Sequence, residues 1–150
     1  MLFRSSAIYD SPVICEYLDE LGGGHFFPRA SLFKAAEGRW RALTLQALGD
    51  GLADAVVRRN QEMRLPEDKR SAAVIAHQTK AIEAAFSVAD RASAKFPEAP
   101  TIGEIAIACA IGYLDIRAPN DGWRERYPQL ASWLERFSRY PSVEATKPPG

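Results

Sequence analysis

At 150 residues, 47% of them hydrophobic, the chain has enough apolar surface for one core, or for one domain and a fragment of a second. Nineteen basic residues balance nineteen acidic ones, so no long-range field attracts nucleic acid or an anionic membrane, and neither is expected as a partner. The opening MLFRSSAIYDS carries no sustained apolar stretch before a cleavage site, and no run is long enough to cross a bilayer, so a cytoplasmic address is the expectation.

In chain order, Met1-Leu2-Phe3 and Ala7-Ile8-Tyr9 are short strand-like runs around a turn at Arg4-Ser5-Ser6. A lone hairpin is marginal in water and wants more sheet beside it. Asp10-Ser11-Pro12 opens a helix, with Ser11 expected as its cap and Pro12 at its first position. Val13, Ile14, Tyr17, Leu18 and Leu21 form its apolar face, and Gly22-Gly23-Gly24 ends it. A domain boundary is expected there, dividing residues 1–24 from residues 25–150.

A long amphipathic helix is expected from Ser31 to about Arg64, with Trp40, Leu43, Ala47, Leu48, Leu52, Ala55 and Val56 near the helical period. Gly49 and Gly51 inside it suggest close backbone packing or a bend. Leu65-Pro66 ends it and Pro66 begins the next helix, which buries Ile75, Ile82, Phe86 and Ala89. Thr101 to Arg117 then stands out as apolar around almost its whole circumference, the pattern of a helix surrounded by protein. Thr101 with Glu104 three residues later is a capping-box signature, and Pro119 forces an end near Arg117. Tyr127-Pro128 opens a further helix carrying Leu130, Trp133, Leu134 and Phe137, and Tyr140-Pro141-Ser142 breaks it.

Candidate chemistry is sparse. At a helix start, the Ser11 hydroxyl and free backbone N–H groups can hold a carboxylate, while Asp10 beside it can accept from an ammonium. Together they suit an α-amino acid head; they also read simply as a helix cap. Asp50, Asp54 and Arg58 lie four apart on one helix face, where like charges repel mildly, and they read equally as a solvated face. Cys15 and Cys109 lack CxxC spacing or histidine partners and read as packed thiols; no metal site is expected, and His25 and His77 receive no role.

AIYDSPVICEYLDEL, the following FFP, the DG-x-x-DA stretch at Asp50 to Ala55, IGEIAIACAIGYLDIR and YPQLASWLERFSRYPSVEATKPP together resemble bacterial cytosolic glutathione S-transferases. The resemblance covers nearly the whole chain in order. It implies a mainly α fold, in which an all-helical C-terminal-like bundle follows a remnant, β-hairpin plus helix, of a thioredoxin-like glutathione-binding domain. It implies that Asp10 and Ser11 grip the γ-glutamyl end of glutathione, and that Asp50, Asp54 and Arg58 line the cleft or a homodimer interface. Glutathione would be a substrate rather than a cofactor, joined to a small hydrophobic electrophile. The family's first βαβ unit, with its thiol-activating Ser, Cys or Tyr, has no counterpart in these residues. The expectation is therefore a truncated member in which Met1 is an internal residue of a longer ancestor, weakly active or inactive. The alternative is a non-catalytic dimerising or ligand-binding helical module.

Overall fold

The structure, a computed structural model, describes residues 7–29 and 38–147. Helix α1 (Ser11–Leu21) is followed by α2 (Arg39–Met63), a single 3₁₀ turn (Glu67–Lys69), α3 (Ala72–Ser93), α4 (Ile102–Arg117), α5 (Trp123–Arg126), α6 (Pro128–Phe137) and α7 (Pro141–Ala145). Helix α4 packs chiefly on α2, α3 also packs on α2, and α6 packs on α3. The core lies where they meet, at Val56, Phe86, Ile107, Ile111, Leu114 and Trp123.

The entry to α4 holds the bundle together. Thr101 accepts from the Gly103 N–H, and Glu104 accepts from the Thr101 N–H at 2.9 Å, completing the box written in the sequence. The Glu104 side chain is entirely buried and also receives Arg41 Nη1 from α2 at 2.8 Å. Phe26 C=O accepts the Ile102 N–H at 3.0 Å, so a further donor of this helix start is satisfied from the loop after α1. Two glycines then let the backbones of α2 and α4 touch. A Cβ on Gly103 would stand 2.7 Å from Ala42 O, and one on Gly49 would stand 2.6 Å from Ala106 C. Ala42 and Leu45 meet Gly103 while Gly49 meets Ala106 and Ile107, so the two helices run in the same sense.

Farther along, Arg59 of α2 reaches Asp121 at 3.3 Å, and Arg126 reaches the same carboxylate at 2.6 Å, which ties the end of α2 to the turn after α4. That turn is the expected one, with Gly122 at φ 72°. Asp90 of α3 accepts the Leu130 N–H at 2.9 Å and so caps α6, which opens on Pro128 without a capping side chain of its own.

Several sequence expectations need correction. The first limb of the hairpin, Met1-Leu2-Phe3, and its turn lie outside the described residues. Its second limb, Ala7-Ile8-Tyr9, belongs to no strand, and no strand occurs among the described residues, so nothing there offers it a ladder partner. Helix α2 begins at Arg39, after Gly38; the stretch from Ser31 to Glu37 lies outside the described residues. Pro66 does not start α3: a 3₁₀ turn intervenes, and Ser71 caps the helix by accepting the Val74 N–H at 3.3 Å. The buried stripe of α2 runs through Ala42, Leu45, Gln46, Gly49, Leu52 and Val56, which leaves Trp40 48% exposed and Ala47 exposed. Helix α4 is covered on only part of its circumference, with Cys109 exposed and Ile116 53% exposed. The apolar face of α1 is also open, for Val13, Leu18 and Leu21 are all exposed.

Two outcomes follow from this core. Ile111 is fully buried, so Ile111→Asp places an unpaired carboxylate in an apolar interior and should cost at least about 4 kcal/mol, abolishing the cooperative melt; an unchanged melt would remove α4 from the centre. Thr101→Ala should cost about 0.5–2 kcal/mol through loss of the cap. Glu104→Ala should cost more, about 3 kcal/mol, because it also leaves Arg41 without its buried partner. A double-mutant cycle should show the two effects to be non-additive, and full additivity would dissolve the box.

Candidate functional site

Asp10, not Ser11, is the N-cap of α1: its carboxylate accepts the Ser11 N–H, while its C=O accepts from Val13 at 3.0 Å and Ile14 at 3.1 Å. Pro12 has no N–H to offer. The helix start therefore presents fewer free backbone donors than the sequence suggests, and the exposed Ser11 side chain is what remains for a ligand.

The start of α1 faces the middle of α2. The Asp50 carboxyl is pushed up by the protein packed around it, and then by the like charges of Asp54 on its own helix and Asp10 on α1. Three carboxylates from two elements thus share one field. Helix α4 closes the same corner. Packing around its sulfur pushes the Cys109 thiol up, with Cys15 of α1 and Asp50 of α2 adding to the effect. Both cysteines are free. A Cβ on Gly112, three residues beyond Cys109, would meet nothing within 4 Å, so this side of α4 stays open. The corner is acidic and partly desolvated, and it favours a ligand that brings positive charge to the carboxylates.

Asp10, Asp50 and Asp54 are therefore within electrostatic reach of one another, with Ser11 next to Asp10 in the chain. Arg58 is exposed, and among the described residues it makes no ion pair, although Asp54 precedes it by one turn. No group of three or more His, Cys, Asp or Glu side chains among the described residues could hold a metal ion.

A residue that sequence reasoning passed over positions α1. Asp19, buried, accepts from the backbone N–H groups of His25 (2.9 Å), Phe26 (3.0 Å) and Phe27 (2.9 Å). Burial pushes its carboxyl up, but the N–H groups of Phe26, Phe27 and His25, with the His25 charge, outweigh that and hold it below the usual carboxylate range. An acid three residues before a glycine triplet was the available signal. Arg59, one position beyond Arg58, is buried against Asp121.

The crowding at Asp50 has a measurable sign. Its folded pKa is raised above the unfolded value, so the stability it allows is fully present below the unfolded pKa and is lost as pH rises through the folded one. Asp50→Asn should match the parent in acid and become more stable towards neutral pH, by about 0.2–0.5 kcal/mol for relief of one helical like-charge pair. Urea midpoints across that range test this; a variant less stable at pH 7 would contradict it.

A family model described as Glutathione S-transferase, C-terminal domain, matches residues 72–136. The uncharacterized GST-like protein YibF of Escherichia coli K12 is 28% identical over 145 residues, which span 94% of this chain and 69% of that protein. Among solved structures, a glutathione transferase family member from Pseudomonas fluorescens Pf-5, with S-(propanoic acid)-glutathione bound, superposes with a TM-score of 0.88 at 39% identity. The match covers 99% of this chain and 75% of that one. A glutathione S-transferase from Methylobacillus flagellatus KT, with glutathione bound, has a TM-score of 0.85 at 31% identity, over 95% of this chain and 70% of its own. With the capped α4, the surrounding bundle and the acidic corner at the start of α1, these likenesses establish that the chain belongs to the glutathione transferase family.

Proposed function

We propose that this chain binds the γ-glutamyl end of glutathione at the corner between α1, α2 and α4. Asp10 accepts from the ammonium and the Ser11 hydroxyl donates to the α-carboxylate. Asp50 and Asp54 add negative charge on the ammonium side, and the wall around Cys109 receives the thiol end or a small hydrophobic electrophile. The observation that carries this is the pairing of the Asp10 carboxylate with the exposed Ser11 hydroxyl at the start of α1, with Asp50 of α2 within electrostatic reach. Relatives with glutathione or its conjugate bound add weight.

Conjugation requires a group that stabilises the glutathione thiolate. Neither Cys15 nor Cys109 suits that role, because Cys109 is itself held protonated and an acidic neighbourhood opposes a second anion. For these residues the function we infer is therefore glutathione recognition with weak or no conjugation, with residues 1–24 assigned to the glutathione-binding part and residues 25–150 to the helical domain. A cytoplasmic homodimer fits this function, with the exposed side of α2 that carries Arg58 turned towards the partner and its cleft. No helix among the described residues is long and apolar enough to cross a membrane.

Calorimetry with glutathione and with its N-acetylated form tests the site. Glutathione should bind, N-acetylation should weaken binding by removing the ammonium, and Asp10→Asn and Ser11→Ala should each lower affinity roughly 10- to 150-fold, the worth of one charge-assisted hydrogen bond. Equal affinity for both ligands would reject the ammonium site. Efficient turnover of an activated aryl halide by purified residues 1–150 would reject the binding-only assignment.

A further inference from the structure

The sequence holds two cysteines, and they lie on two helices that one clasp joins. In α1 the side chains that are not exposed are Cys15, Glu16 and Asp19, a stripe at helical spacing that marks the side turned to the bundle. Two ties hold that side down. Glu16 accepts from Arg39 of α2 at 2.7 Å, and Asp19 clasps the N–H groups of His25, Phe26 and Phe27. Phe26 passes the second tie on to α4, because its C=O accepts the Ile102 N–H. Cys15 stands four residues from Asp19, about 6 Å along α1, and Cys109 stands seven residues from Ile102, about 10 Å along α4. Each thiol is therefore within two turns of the same clasp.

The two sulfurs also feel each other. Packing around its sulfur is the main reason the Cys109 thiol is pushed up, and Cys15 comes next, ahead of Asp50. Both thiols are free, Cys15 half-buried and Cys109 exposed, and the open space at Gly112 leaves a reagent room to reach Cys109. A disulfide asks that the two Cα atoms come within about 7 Å of each other. Helix α1 is the element able to close that gap. None of its residues belongs to the hydrophobic core, and Val13, Ile14, Leu18 and Leu21 are exposed, so it can tilt about Asp19 without breaking apolar packing.

We infer that Cys15 and Cys109 are a redox pair whose disulfide locks α1 onto α4. The oxidant is a small disulfide, here glutathione disulfide. The Cys109 sulfur gives its proton to solvent and attacks one sulfur of the oxidant; that S–S bond breaks, and the first glutathione leaves and takes up a proton. Cys15 then loses its proton and attacks the Cys109 sulfur of the mixed disulfide, and the second glutathione leaves as a thiol. Two cysteine thiols are oxidised and one glutathione disulfide is reduced to two thiols. The lock depends on the placing of the two helices and stands whether or not the start of α1 holds glutathione.

The fully reduced chain is incubated with glutathione disulfide at mildly alkaline pH, where the raised Cys109 thiol ionises, then alkylated and digested for mass spectrometry. The monomer should lose two hydrogens, retain no glutathione and yield a peptide cross-linked between Cys15 and Cys109. Cys15→Ser should stop at the mixed disulfide on Cys109, and Cys109→Ser, at an exposed position, should fold normally and form no internal bond. Amide hydrogen exchange over residues 13–21 should slow about tenfold on oxidation and recover on reduction. A parent that stops at the mixed disulfide, covalent dimers as the chief product, thiols left unreacted, or α1 amides that exchange as fast after oxidation as before would each overturn the proposal.

Discussion

Everything in this bundle depends on the contact between the backbones of α2 and α4. Gly49 and Gly103 stand so close to the opposite helix that even a methyl group would overlap main-chain atoms. This closeness orients Ile107, Ile111 and Leu114 into the core against Phe86 and Trp123. The same contact buries Glu104 completely, and a buried carboxylate is tolerable only when it is hydrogen-bonded and paired. Thr101, with its N–H and hydroxyl, and Arg41 supply three donors. The cap of one helix is thereby also the tie between two, and the geometry is intolerant of a shift in either.

The acidic corner inherits its position from that tie. Because α2 and α4 touch at Gly49, Asp50 and Cys109 come within electrostatic reach of each other and of α1. Like charges held together in partly desolvated surroundings oppose folding slightly, a pattern expected where a site is arranged for a ligand rather than for the free protein.

What could be read in advance was local. The capping box of α4, its stop before Pro119, the Pro128 helix start, the break at Pro141 and the close packing that was one of two readings of Gly49 depend on residues within a turn or two of one another or on a single glycine. What could not be read was distant. Arg41 and Glu104 are 63 positions apart, Arg59 and Asp121 are 62 apart, and nothing in either neighbourhood announces the pairing. The phase of α2 followed from the same difficulty. Gln46 and Arg59 are buried because their surroundings supply partners or backbone contact, so a stripe drawn through apolar residues alone rotates the helix and places Trp40 inside. Asp10 and Ser11 were identifiable as a pair, but which of them caps the helix depends on backbone angles that composition does not encode.

Asp19 holds more than a loop. Its carboxylate clasps three consecutive N–H groups, the middle one belonging to Phe26, whose C=O in turn receives the first N–H of α4. Helix α1 is thus hinged to α4 near one end, with Asp10 and Ser11 at the other, about 13 Å away at 1.5 Å per residue. Over a lever of that length, a tilt of roughly 10° at the hinge carries the Asp10 carboxylate about 2 Å, most of the difference between a hydrogen bond and none. The placing of Asp10 and Ser11 is therefore set by an acid at the opposite end of their helix.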